Sequence, residues 1–503
     1  MQIRNFTPRT YQLNILNTCK ANNTLVCIPT GLGKTKIAIM LAAEVLDKRP
    51  EAKVIVLTPT RPLADQITKE FQECLDIDKE KIILLTGETH ASKRDVKYED
   101  SQIIIATPQT VQKDIENNRI DLDKIGLLVI DEAHRSRQKF ANTIVSKNLS
   151  EKGTSRILAL TASPGNTKAK IDEICENLGI TAVEIRSESD EDVKEHVQKK
   201  DAEYVEIEFP EQLKRIHTMI KDYYKERLEN VKSFGIYKPL SVVNKTDLIL
   251  LQRRLQGEIQ RNNQSAFYGM SLVAQLLKLS YMLETLETQG VKSLNYFLKK
   301  LETETSKASK TILANPKIIE ARKELDKLKE QDIEHPKFNK LLEIIKNNLE
   351  TNKNFRIIIF ATYRNTVDNI YNLLNNSGIR AIKLVGQNLG LTQKEQIESI
   401  KQFNDGVYNC LITTSIGEEG LSIKEADIAI FYDNTPSSIR KIQRAGRVGR
   451  MKEGKVIFLV TKGTIDAAYY WKSKKDETKM KNILYKMKDK GISVKQNSLN
   501  DFK

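Results

Sequence analysis

The chain has little of what staples or anchors a fold. Its 503 residues include five cysteines, five histidines and a single tryptophan. Cys19, Cys27, Cys74, Cys175 and Cys410 are scattered, odd in number and never at metal-ligand spacing. That argues against a disulfide scaffold or structural metal and for a reducing compartment. No stretch approaches the ~18 apolar residues of a membrane span, and "MQIRNFTPRTYQ" lacks an apolar signal core. The expectation is a cytoplasmic protein, neither exported nor membrane-spanning. Acidic residues are in deficit: 81 Lys and Arg face 66 Asp and Glu, a net charge of +15. Such a balance favours a polyanionic partner over a small acid.

What is present is an α/β texture, written twice. Short β-branched runs alternate with amphipathic helical patterns, the signature of parallel sheets with crossover helices. The first set is "TLVCI", "KVIVLTP", "KIILLTG", "QIIIATP", "LLVIDE" and "RILALTAS"; the second is "FRIIIFA", "AIKLVG", "NCLITTS", "DIAIFYD" and "KVIFLVT". Runs this continuously apolar are buried on both faces. Between them, over residues 186–333, strand runs vanish and long helical patterns take over. Leu251, Leu255 and Ile259 fall on one stripe, and "SAFYGMSLVAQLLKLSYMLETLETQG" predicts a helix ended by Gly290. The expected divisions are residues 1–185, 186–333, 334–474 and a basic, weakly structured tail, 475–503.

Three short motifs carry chemistry. "PTGLGKT", residues 29–35, follows a strand and opens a helix, as a phosphate-cradling loop must. Gly31 and Gly33 let backbone N–H groups approach phosphates, Lys34 reaches the β/γ-phosphates, and the Thr35 hydroxyl suits Mg²⁺. Thr30 belongs to the same cradle, while Ile28 stands where the pattern's first glycine is usual. "LLVIDEAH" is an apolar strand ending in Asp131, suited to the Mg²⁺ shell, and Glu132, suited to activate a water. "QRAGRVGR" sets Gln443, Arg444, Arg447 and Arg450 among glycines with no acid near. Phosphoryl transfer needs a guanidinium on the γ-phosphate, worth 10³–10⁵ in rate. Arg447 and Arg450 could supply it from the second α/β region.

The ordered set "PRTYQ", "PTGLGKT", "TPTRPLADQ", "TPQT", "DEAH", "TASP", "IIIFATYR", "TTSIGEEGLSI" and "QRAGRVGR" resembles a superfamily 2 helicase. The resemblance implies two RecA-like motor domains around an all-helical insert, using ATP and Mg²⁺. It implies that Arg9 and Gln12 read adenine. Thr161, Ser163 and His134 would couple hydrolysis to movement. Thr60, Arg61, Thr107, Arg364, Thr413 and Thr414 would line the nucleic-acid track. Many relatives carry an acid where this chain has Ser422. "LETLETQGVKSLNYFLKKLE", "VGQNLGLTQKEQ" and "GEEGLS" further resemble the archaeal Hef family, relatives of the Fanconi-anaemia M-type translocases. Those act on forked and branched DNA through a thumb-like insert, and many continue into an XPF-type nuclease; this chain shows no acidic nuclease cluster after the motor. RIG-I-like and Dicer helicases share the plan on double-stranded RNA. A rival of another class is a DNA-bound scaffold with ATP as a clamp switch.

In the insert, Lys245, Arg253, Arg254 and Arg261 are basic candidates for DNA contact, although Arg254 could simply pair with Glu258 one turn on. Trp471 reads as a packing residue. Near the end of the chain, Gln496, Leu499 and Phe502 have the Q-x-x-L-x-x-F spacing that resembles the PCNA-clamp-binding peptide.

Overall fold

The computed structural model describes residues 2–137, 140–196, 200–386, 393–414, 426–435 and 454–490. Two parallel sheets organise it. The first holds β1 (Thr24–Cys27), β2 (Lys53–Leu57), β3 (Ile82–Leu85), β4 (Ile103–Ala106), β5 (Ile125–Ile130), β6 (Arg156–Thr161) and β7 (Ala182–Ile185), in the order β3-β4-β2-β5-β6-β1-β7. The second holds β8 (Lys200–Ile207), β9 (Ile357–Phe360), β10 (Ala381–Leu384), β11 (Cys410–Thr413), β12 (Ile428–Phe431) and β13 (Gly454–Thr461), in the order β10-β11-β9-β12-β13-β8. The central strands are buried along their whole length, as in "IIIA" of β4 and "IIIF" of β9. Helices covering both faces make such Ile/Val runs stable only in the interior of a sheet.

Two strands lie outside the sequence expectation, and both are edges. β7 is "AVEI" and β8 is "KDAEYVEI". β8 joins the second sheet before the insert begins, pairing in parallel with β13 from Lys200 to Ile207. The insert proper is therefore the helices from Glu211–Val231 to Pro316–Glu330, including Lys245–Gln260, Ser265–Thr288 and Val291–Thr303. Ser265–Thr288 stops where Gly290 takes φ +92°. A Cβ there would meet Glu334 and His335, because the Glu334 carboxylate caps the next helix through the N–H groups of Val291 (2.6 Å) and Lys292 (3.0 Å). Glycine is thus demanded twice over, by its left-handed φ and by the carboxylate packed against it.

The C-terminal region departs most from expectation. Instead of a loose tail from 475, a helix runs Ile465–Lys490. It starts on the second domain, where Asp466 is fully buried against Lys337. It ends on the first, where Met480, Leu484 and Met487 enter the apolar cluster that holds Ile174, Val183 and Ile185. Burial of each such side chain is worth about 1.5–3 kcal/mol, enough to hold the last turns down.

Candidate functional site

The carboxyl ends of parallel strands are where open α/β sheets bind ligands. Along that edge of the first sheet, the strand order sets the residues out in sequence: Thr107 after β4, Thr60 and Arg61 after β2, Asp131 and Glu132 after β5, Thr161 and Ser163 at β6, and the phosphate cradle after β1. The cradle occupies the turn into the helix Lys34–Lys48. Gly31 (φ +86°) and Gly33 (φ +73°) take left-handed conformations that leave their N–H groups at the turn. Gly33 is closed underneath as well, since a Cβ would lie 2.6 Å from Gln12 Nε2. That amide donates to the Leu32 carbonyl (3.2 Å), and the Tyr11 hydroxyl donates to the same oxygen at 2.7 Å. The Arg9 N–H donates to Gln12 Oε1 at 3.0 Å. The N-terminal motif is thereby bolted to the cradle. Tyr11, which the sequence reading gave no role, is fully buried and so serves core and cradle together. Lys34 Nζ lies 3.3 Å from the Ile28 carbonyl, folded over the loop.

The acidic pair is held under tension. Glu132 sits at φ 51°, ψ 48°, a left-handed conformation unusual for a side chain with a Cβ and typical of active-site turns. Asp131 Oδ1 accepts the Glu132 N–H at 2.9 Å. Burial first, then the Glu132 charge, pushes the Asp131 carboxyl up to about 7, with Lys34 pulling against them. At Glu132 burial pushes upward, but the hydrogen bond from His134 and the charges of Lys34, His134 and Arg135 outweigh it, and the carboxyl stays ionised below its usual range. His134 Nδ1 lies 3.2 Å from Glu132 Oε2 and 3.3 Å from Thr161 Oγ1. It therefore joins the Glu132 carboxylate to the end of β6. Thr161 Oγ1 in turn accepts the Ser163 N–H at 3.1 Å, and Ser163 Oγ contacts Met480 Sδ at 2.9 Å. This relay runs from the acid pair into the C-terminal helix, a contact no local pattern could disclose. Thr35 stands one residue after Lys34, and its hydroxyl and the desolvated Asp131 are the donors that would fit a divalent cation. A second carboxylate beside Asp131 is a cost that a bound cation would remove.

The remaining predicted contacts are less free than their motifs suggest. Arg61 is forked onto both oxygens of Glu88. Thr60 caps the helix Arg61–Cys74 by its backbone, and its hydroxyl has no partner among the described residues. Thr107 Oγ1 is 2.8 Å from Thr110 Oγ1. Arg364 opens the helix Arg364–Asn376 with Asp368 at 3.8 Å. Thr413 is fully buried and its hydroxyl turns onto the Thr414 carbonyl, so its side chain does not reach a surface track. Arg254 donates to the Phe234 carbonyl and lies 3.6 Å from Glu258, so its guanidinium closes the preceding turn of the insert while the side chain stays 47% exposed. Gln443, Arg444, Arg447, Arg450, Ser422 and the clamp-like Gln496, Leu499 and Phe502 lie outside the described residues. A cavity of about 440 Å³ lies at the opposite edge of the first sheet. Three of its four basic lining residues are engaged: Lys20 and Lys48 pair with Glu44, and Arg49 donates to the Thr154 carbonyl, with Arg156 the fourth. Among the described residues no helix is long and apolar enough to cross a membrane.

A phosphate cradle and an acidic pair on one sheet edge, a second parallel sheet and a helical bundle between them define the core of a DEAD/DEAH box helicase. Family models agree: "DEAD/DEAH box helicase" matches residues 9–171, "Helicase conserved C-terminal domain" matches 336–452, and "Putative ATP-dependent RNA helicase, helical bundle" matches 212–332. The crystal structure of the Pyrococcus furiosus Hef helicase domain superposes with a TM-score of 0.75 at 37% identity, covering 93% of this chain and 98% of that one. The chain belongs to the Hef-type branch of this helicase family, with the Mph1, Fml1 and FANCM helicases among its homologues. A putative ATP-dependent RNA helicase of Methanocaldococcus jannaschii is 41% identical over 95% of this chain and 61% of its own length. The ATP-dependent DNA helicase fml1 of Schizosaccharomyces pombe is 31% identical over 98% of this chain and 61% of its own. The chain thus spans less than two thirds of these relatives.

Proposed function

We propose that this chain is an ATP-driven DNA helicase or translocase that remodels forked or branched DNA in replication-fork repair. One observation carries the reading: a single sheet edge sets out the Thr107, Thr60 and Arg61 loops, then the acid pair, then Thr161, then the phosphate cradle, with His134 joining the acid pair to Thr161. Hydroxyls and backbone groups at strand ends grip a phosphate backbone without reading bases. Lys34 binds the β/γ-phosphates of ATP, and Glu132 orients and deprotonates the attacking water. Thr35 and Asp131 would hold Mg²⁺, which supplies charge neutralisation on the phosphates when bound. Gln443, Arg447 and Arg450 complete the site from the second domain, so closure switches hydrolysis on. Work on chromosomal DNA would put the protein at the nucleoid, in the cytoplasm. Intact Lys34 and Glu132 favour a motor over a scaffold with ATP as a clamp switch.

The test is ATPase stimulation by a matched set of single strand, duplex, fork and four-way junction, made in DNA and in RNA. Forked DNA should stimulate most; stronger stimulation by duplex RNA would transfer the reading to a double-stranded-RNA motor. Arg450→Ala should nearly abolish hydrolysis and leave ATP binding mostly intact, and unchanged turnover would remove the two-domain site. The Q-x-x-L-x-x-F spacing of Gln496, Leu499 and Phe502 supports a further contact with the PCNA clamp. Calorimetry of a peptide covering residues 494–503 should then register binding to the clamp of the same organism, lost on Leu499→Ala with Phe502→Ala.

A further inference from the structure

The helix Ile465–Lys490 has two unlike faces. Asp466, Tyr470, Ser473, Met480, Leu484 and Met487 are buried on one side. At 100° per residue, Trp471, Lys472, Lys475, Lys479, Lys486 and Lys490 fall within a sector of about 100° on another side, and all six are exposed. Lys481 and Lys488, on the flanks, pair with Glu477 and Glu184. The five lysines of the stripe have no carboxylate partner among the described residues, and the nearest acid on that face, Asp489, comes only in the last turn. The stripe is headed by the chain's single tryptophan, 54% exposed, with Tyr204 and Tyr470 against its inner edge at 5.9 and 5.2 Å between centroids and Lys474 over its ring. A large aromatic ring left in water at the end of an unpaired cationic row is what a nucleic-acid backbone with exposed bases would fill.

Its place in the fold separates this surface from the track. The last turns lie against β7, at one extreme of the first sheet. Thr60, Arg61 and Thr107 follow β2 and β4, with β5, β6 and β1 between them and β7. Four strand spacings are roughly 19 Å, so one strand of nucleic acid held by the track does not also lie along the stripe. Lysines three and four residues apart stand about 5–6 Å from each other, a row suited to successive phosphates.

We infer that this stripe is a second nucleic-acid surface, holding an arm of a branched DNA other than the strand in the track. It rests on the proposed action on forked DNA and adds to it the element that would engage the second arm. The partner is phosphate backbone, so the interaction is electrostatic and salt-dependent, with Trp471 stacking where the arm opens.

The experiment uses the whole chain with Lys475→Ala, Lys479→Ala and Lys486→Ala together. The salt dependence of fork binding and single-strand-stimulated ATPase are measured beside the unaltered chain. Each duplex phosphate contact contributes about 0.9 to the log–log salt slope, so the slope on the fork should become shallower by about 2.7 while single-strand-stimulated ATPase stays as before. In the unaltered chain, the fluorescence of Trp471 should change on adding a fork and stay constant on adding a single strand long enough only for the track. An unchanged slope on the fork, or an equal loss on fork and single strand, overturns the second surface and leaves the motor reading standing. Absence of stimulation of the unaltered chain by any DNA overturns the motor reading itself.

Discussion

The molecule has two joints, and they are made of different materials. Where the insert meets the second domain, the contacts are buried, charged and directional. The Tyr363 hydroxyl donates to Glu284 at 2.9 Å, and Glu287 accepts the Ile465 N–H at 2.5 Å while its other oxygen meets His217 Nε2 at 2.6 Å. Below them, inside the second domain, Lys337 and Asp466, both with no exposed surface, pair at 2.7 Å and form the floor of the joint; Lys337 also donates to the Tyr432 carbonyl, and Asp466 accepts from Asn434 and Thr461 N–H groups. Where the C-terminal helix meets the first domain, the centre is Met480, Leu484 and Met487, with Tyr485–Asp190 and Lys488–Glu184 outside it. Buried ion pairs with every lone pair used admit one geometry. Thioethers are soft and repack easily. The insert is therefore fixed to the second domain by directional contacts, and the sulfur-lined joint is the one whose packing can adapt if the two sheets shift relative to each other.

Three changes would break or sharpen this contrast. The largest effect falls on the polar joint. Lys337→Ala strands Asp466 in the interior, which costs about 3–5 kcal/mol; denaturant unfolding should show that loss, and a loss below 1 kcal/mol would mean the pair does not hold the floor on which the joint rests. Acid comes next. His335 is fully buried, and desolvation first, then the Lys337 charge, holds its pKa down at about 3. The unfolded chain, with an ordinary histidine near 6.5, takes up protons that the folded one refuses. This contribution is complete above about pH 6.5 and fades as pH falls toward 3, by roughly 2–3 kcal/mol at about pH 4.5. Asp131, shifted upward, titrates with the opposite sign. The measurement is therefore the difference in pH slope between this chain and His335→Asn, which should be the shallower. The smallest change is at the other joint. Met480→Leu with Met487→Leu conserves volume and should cost under about 1.5 kcal/mol. The stiffer branched chains should slow DNA-stimulated turnover more than they alter stability, and equal turnover would remove the sliding role from this joint.

The same contrast separates what could be read in the sequence from what could not. Ten of the eleven strands named in advance are interior strands or carry unbroken Ile and Leu, and the eleventh, the edge β10 "AIKL", was read from the apolar residues around its single lysine. The two missed ones, β7 and β8, are edges whose glutamates interrupt the apolar run; in β7 Glu184 is buried but offset by Thr18, Arg186 and Lys488, partners that only folding brings together. The phosphate cradle and acid pair were legible since glycine, lysine and carboxylates there are contiguous in the chain and their spacing is their geometry. The engagement of Arg61 by Glu88 and of Arg254 by the Phe234 carbonyl was not, because it depends on partners that only folding brings near. The helix at Ile465–Lys490 hid its Met480, Leu484 and Met487 stripe among lysines, so that charge outweighed period.

The pairing of β8 with β13 has a mechanical consequence. The chain enters the second sheet through β8 and leaves it through β13, and the two lie side by side over eight residue pairs. Being parallel, the strands put the way in and the way out at opposite ends of one ribbon, about 23 Å apart at ~3.3 Å per residue step. A body held at one point can swivel in three directions; one held at two can only turn about the line between them. The second domain and its insert are therefore tied into the chain at two separated points, as a door is on two hinges, and a turn of that body is constrained to the line between them.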